Sequence, residues 1–191
     1  VPVSPEEVVV TPGAKPIMAF AITALAQAGD EVIYPEPGFP TYESVINFVG
    51  ATPVPVPLLE ERGFAFDLDV LRARIGPRTR LLVLNSPQNP TGGVLPAEDL
   101  AEIAGLARRH GVPVLTDEVY NRFLYEGEFH SIASLPGMKD QCIILDGFSK
   151  AYAMTGWRLG YGVMPRDLAA QVTRLMINSN SCTAAFSQVA A

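Results

Sequence analysis

Short apolar runs alternate with helical patterns along this chain, and the alternation predicts a mostly parallel sheet covered by helices. Val8–Val10 reads as a strand, leading through Pro12-Gly13 into a helix from about Ala14 to Ala28 that Gly29 closes. A strand at Glu31–Tyr34 is followed by the proline-rich loop Tyr34 to Pro40 and a helix over Thr41–Val49. The alternating prolines of Pro53–Pro57 suit an extended or edge strand, because proline donates no ladder hydrogen bond. Leu68–Ile75 is a short helix, RLLVLN (Arg80 to Asn85) a buried strand, and Pro96–His110 the clearest amphipathic helix, with Gly111 at its C-cap position. VPVLTDE, CIIL (Cys142 to Leu145) and Leu159–Val163 complete the strands, and AAFSQVAA opens a last helix. With no repeat or low-complexity linker, the economical reading is one doubly wound domain.

Bulk numbers narrow the function classes. The 191 residues are 48% hydrophobic and 18% charged, enough to bury one sizeable core. A formal net charge of −6, without a Lys/Arg cluster, argues against nucleic acid as a partner. No apolar run approaches the roughly 18–20 residues of a membrane span. Cys142 and Cys182 are far apart, and with His110 and His130 as the only histidines no zinc spacing exists. A reducing cytoplasm is the expected compartment. The chain starts at Val1, has no signal peptide and ends inside a helical pattern, so it reads as an internal piece of a longer protein.

The chemistry concentrates where strands end, the place where open α/β sheets bind ligands. After Val8–Val10, TPGAK brings Gly13, Ala14 and Lys15 to a helix start, where free N–H groups and the helix dipole favour an anion. Alone, it is equally an ordinary turn. After RLLVL, NSPQNPTGG aims the Asn89 amide, although turn-forming asparagines are common. After VPVLT, Asp117 ends an apolar strand, where a carboxylate needs a cation or donors, and Tyr120 follows closely. Asp117-Glu118 could instead bind a metal, for which few further ligands exist. After CIIL, Lys150 sits in a turn of small residues, with Arg158 eight positions on. Desolvation there would lower its pKa and free the amine to attack a carbonyl. An aldehyde, a phenolate, a basic ring nitrogen and a phosphate would be matched together by these groups, and pyridoxal 5′-phosphate carries all four. Two other motifs fail. Gly160-Tyr161-Gly162 lacks the last glycine of a dinucleotide fingerprint, and GFSKA is a hydrolase elbow without its final glycine or a following histidine.

VTPGAK, YPEPGFPTYE, NSPQNPTG, DEVY and SKAYAMTGWRLGY, in this order, resemble the class I/II aminotransferases of fold type I. The resemblance implies a three-layer sandwich with a mostly parallel mixed sheet, and assigns residues 1–191 to an incomplete large, cofactor-binding domain. It implies that Lys150 forms the internal aldimine and shuttles the proton between Cα and C4′. It further implies that Asp117 holds the pyridine nitrogen protonated, that Tyr120 and Asn89 hydrogen-bond the ring phenolate, and that Phe39 stacks on the ring. Gly13, Ala14, Lys15 and Arg158 would bind the phosphate. Gly147 stands where many relatives carry a serine that contacts it. The family's substrate-carboxylate arginine would lie beyond Ala191, and an N-terminal arm before Val1. Amino acid and 2-oxo acid substrates, and a homodimer in the full-length protein, follow by the same resemblance. A carbon–sulfur β-lyase on this fold, or an aminotransferase-like effector domain of a transcription regulator, are the alternatives.

Overall fold

The computed structural model describes residues 1–191 and contains one eight-stranded sheet between two layers of helices. Its strands are β1 (Val8–Thr11), β2 (Glu31–Glu36), β3 (Thr52–Leu59), β4 (Ala65–Phe66), β5 (Thr79–Asn85), β6 (Val114–Asp117), β7 (Cys142–Gly147) and β8 (Gly160–Val163). The helices are α1 (Lys15–Leu25), α2 (Thr41–Phe48), α3 (Leu68–Arg74), α4 (Ala97–His110), the single turn α5 (Phe148–Ala151), α6 (Arg166–Asn180) and α7 (Ala185–Ala190). Strand order is β1-β8-β7-β6-β5-β2-β3-β4, and β7, β6, β5, β2 and β3 run parallel. β8 is antiparallel to both of its neighbours, so β1 runs in the same direction as β7.

Strand pleating divides the core into two. Along β5, Leu82 and Leu84 face the cluster containing Leu71, Leu100 and Ile103, under α3 and α4. Leu81 and Val83 face the other way, onto Ile17, Ile22, Tyr42 and Val172 of α1, α2 and α6. A central strand buried on both faces must be apolar throughout, which is why RLLVLN was legible. β3 tolerates its prolines because β4 pairs only with Leu58 and Leu59, leaving Pro53, Pro55 and Pro57 without a second strand to bond.

Three elements differ from expectation, the first being the two-residue edge strand β4, which the sequence reading lacks. Helix α1 stops at Leu25, three residues short of Ala28, and the Ala26 backbone is already extended. The Asp30 carboxylate accepts the Gln27 N–H at 3.0 Å, an alternative to helical bonding that ends the helix early. Helix α6 was not foreseen. It buries only Ala169, Val172 and Met176, a stripe too narrow to stand out, although Pro165 at its N-cap and Asp167 in its first turn are start signals. No helix is long and apolar enough to cross a membrane.

The registers matter most for function. Asn85 pairs with Asp117, Asp117 with Leu145, Gly147 with Gly160, and Gly160 with Thr11. All four predicted loops therefore leave the same edge of the sheet.

Candidate active site

A cavity of about 270 Å³ opens at that edge, near the lower end of the size of ligand pockets (~300 Å³). Ala14, Lys15, Phe39, Asn89, Asp117, Tyr120, Lys150 and Arg158 all line it. Gly13 is absent from the lining but shapes it. Its φ of +88° belongs to the region glycine favours, and a Cβ there would lie 2.4 Å from Arg158 Nη2. The guanidinium is held over this turn by the carbonyls of Thr155 (2.9 Å) and Pro12 (3.3 Å), beside a helix start that no side chain caps.

Asp117 is 6% exposed. Its Oδ2 accepts the phenol of Tyr42 at 2.8 Å, and Oδ1 a long bond from the Val119 N–H at 3.4 Å. Burial outweighs these donors and pushes the carboxyl up to about 6. Tyr42 is fully buried on α2, 75 residues away in sequence, and sequence reasoning gave it no role. Its presence in YPEPGFPTYE was visible, but only the docking of α2 on the sheet aims its hydroxyl at Asp117.

Asn85 was likewise passed over. Its amide donates to the carbonyls of Asp117 (3.0 Å) and Pro87 (3.2 Å), and its Oδ1 accepts the Asn89 N–H at 2.8 Å. One buried side chain thus fixes Asn89 against the end of β6. Gln88 donates to the Pro37 carbonyl at 2.8 Å and ties the Phe39 loop to the same place. The Lys15 ammonium lies 5.0 Å from the Phe39 ring centroid.

Lys150 departs from expectation in one respect. It reaches the cavity and lies 5.5 Å from the Tyr120 ring centroid, yet the residue is exposed rather than desolvated. The turn α5 stands on the rim of the cavity, and there the Lys150 side chain stays exposed. Gly147 is explained by packing: a Cβ would meet Gly160 Cα at 3.1 Å and the Leu159 carbonyl at 3.2 Å, where β8 passes closest. Ser149 and Thr155 bring aliphatic hydroxyls to the cavity lining, and Met18, Val119 and Leu145 add apolar lining not foreseen.

Asp117 and Glu118 do not converge. Glu118 Oε1 instead accepts from Ser131 (2.6 Å) and Thr116 (3.0 Å), and burial pushes it up to about 7. A pH effect follows. Both carboxyls titrate higher folded than unfolded, Asp117 from 3.8 to about 6 and Glu118 from 4.5 to about 7. Their stabilisation is complete below about pH 4 and is lost as pH rises through about 6 to 7, at about 3 kcal/mol for each group. Urea unfolding of the cofactor-free chain should show this fall between about pH 4 and pH 7. Glu118→Gln, which keeps the acceptor oxygen, should remove Glu118's share, and an unchanged pH slope would refute the assignment.

An amine, a buried carboxylate, a phenol and a guanidinium beside a helix start surround one small cavity, a donor set that suits a phosphorylated aromatic aldehyde with a ring nitrogen. The sequence profile of the family described as aminotransferase class I and II matches residues 1–191. The chain belongs to this family. It is 40% identical over 187 residues to an aspartate aminotransferase of Pyrococcus abyssi, covering 97% of this chain and 48% of that protein. It is 43% identical over 175 residues to the arginine–pyruvate transaminase of Pseudomonas aeruginosa, covering 92% and 44%. Among solved structures, N-succinyldiaminopimelate aminotransferase from Mycobacterium tuberculosis superposes with a TM-score of 0.95 at 39% identity, covering all of this chain and 50% of that one. The mixed sheet and its two helical layers are those of fold-type I aminotransferases. The chain spans about half the length of the relatives it matches.

Proposed function

We propose that residues 1–191 form the pyridoxal 5′-phosphate-binding domain of an aminotransferase that moves an amino group from an amino acid to a 2-oxo acid. The observation that carries this reading is the convergence of Lys150, Asp117, Tyr120 and Arg158 on one cavity. When bound, the cofactor supplies an aldehyde that captures amines and a protonated ring that accepts electrons from the substrate's α-carbon. The Gly13–Lys15 helix start and Arg158 hold the phosphate. Asp117, oriented by Tyr42, keeps the proton on the ring nitrogen. Tyr120 and Asn89 donate to the phenolate oxygen, and Phe39 offers an apolar face to the ring. Lys150 anchors the cofactor through its amine and, once released, takes and returns the proton at the substrate's α-carbon.

Arg158 is the one guanidinium lining the cavity, and with phosphate bound to it none remains for a substrate carboxylate. The 191-residue chain should therefore bind the cofactor but transaminate slowly or not at all, while the full-length protein, expected to be a cytoplasmic homodimer, turns over. Absorbance titration with pyridoxal 5′-phosphate, followed by assays with paired amino and 2-oxo acids, tests this. Robust turnover by the 191-residue chain would refute the division of labour. Pyruvate and ammonia released from a cysteine conjugate without amino transfer would replace the transferase by a β-lyase.

A further inference from the structure

The turns that carry Tyr120 and Lys150 leave different strands, β6 and β7, and something must set one against the other. A single carboxylate spans the gap. Asp146, the penultimate residue of β7, accepts the Gly147 N–H at 2.6 Å through Oδ1, where the Lys150 turn begins. Its Oδ2 accepts the Asn121 amide at 3.1 Å and the Tyr161 phenol at 3.1 Å. Asn121 adjoins Tyr120, and its own N–H bonds the Glu118 carbonyl at 2.9 Å, closing the turn on which Tyr120 sits. Beside this joint the Arg122 guanidinium lies 5.4 Å from the Tyr152 ring centroid, a second link between the same two turns.

Asp146 does not line the cofactor cavity. It lies behind the Lys150 turn in a separate pocket of about 50 Å³ with Arg122, Tyr152 and Tyr161. Whatever it does for the site, it does through its neighbours. Burial raises its pKa, and the three donors oppose that, so the carboxylate is held by the bonds that join the turns.

We propose that Asp146 is a positioning residue that locks the Tyr120 turn to the Lys150 turn through Asn121 and Gly147, fixing the phenol relative to the amine. This rests on the cofactor reading above. The bonds also define which substitutions discriminate. Asp146→Asn keeps Oδ1 for Gly147, and rotation of the Asn121 amide and the Tyr161 hydroxyl restores the other two. Asp146→Ala removes all three, and Asn121→Ala cuts only the link to Tyr120.

The test titrates the visible chromophore that the full-length protein forms with pyridoxal 5′-phosphate and measures amide exchange in the same protein without cofactor. A phenol donating to the phenolate lowers the chromophore's pKa, so Tyr120→Phe should raise it. Asn121→Ala and Asp146→Ala should each raise it by about half a unit to one unit, and Asp146→Asn by much less. In the Tyr120→Phe background Asn121→Ala should add nothing, since both act through one phenol. Asp146→Ala should also speed exchange at the Asn121 and Phe123 amides, which Asp146→Asn leaves protected. If Tyr120→Phe moves the pKa and Asn121→Ala does not, or if the two effects add, the positioning role is overturned. Unchanged exchange in Asp146→Ala overturns the joint itself, whatever the cofactor does. A wild-type protein with no Lys150-dependent chromophore overturns the cofactor reading instead, and the role assigned to the joint with it.

Discussion

Lys150→Ala is expected to abolish the visible absorbance that pyridoxal 5′-phosphate acquires on this chain. In the full-length protein it should lower amino transfer by at least about 10⁴-fold, because one side chain supplies both covalent capture and proton transfer. Lys15 is the built-in control, since it also lines the cavity and carries the same ammonium. Its amine faces the Phe39 ring at 5.0 Å, beside the helix start. Lys15→Ala should therefore weaken cofactor binding and leave the chromophore intact. A chromophore that survives in Lys150→Ala, or disappears in Lys15→Ala, would move the covalent role to the other lysine.

Asp117→Asn should lower amino transfer on the order of 10²–10³-fold, the range for losing one preorganised electrostatic partner. The same change should make the cofactor-free chain more stable at pH 8, by about 2–3 kcal/mol from the shift between 3.8 and about 6. The sign is the informative part. The amide oxygen of the variant still accepts the Tyr42 phenol and gives up only the long Val119 N–H bond, so the substitution mainly removes a buried charge that the cofactor-free fold does not neutralise. A residue kept for packing would lose stability when changed, whereas one kept for a ligand's cation gains it. Urea midpoints and steady-state rates measured on the same variants check both halves. A destabilised variant, or one with full activity, would end the case for Asp117 as partner of the ring nitrogen.

The individual residues show why parts of the site were legible and parts were not. Asp117 stood out because a carboxylate ending an apolar strand conflicts with its surroundings, and Lys150 because it follows an apolar strand in a turn of small residues, both patterns visible in one dimension. Asn85, Tyr42 and Asp146 gave no such signal. Each is an ordinary polar residue in sequence, and its role comes from a partner elsewhere: Asp117 for Tyr42, the Asp117 carbonyl for Asn85, and Asn121 for Asp146. The exposure of Lys150 was misjudged for a related reason, since small neighbours in sequence do not establish what packs above an amine in space.

By itself, then, the sequence determined the strand–helix alternation, the apolar central strands and the set of chemical groups at the strand ends. Periodicity and local polarity are properties of neighbouring residues, and short-range sterics and burial act on them directly. The tertiary structure decided that β8 runs antiparallel, which returns Arg158 to the Gly13 turn at the end of β1. It also decided that α2 delivers a phenol to Asp117, and that one carboxylate behind the cavity joins the turns bearing Tyr120 and Lys150. Those contacts depend on strand order and helix docking, and the free energy that fixes them comes from burying both faces of the sheet together rather than from any single segment.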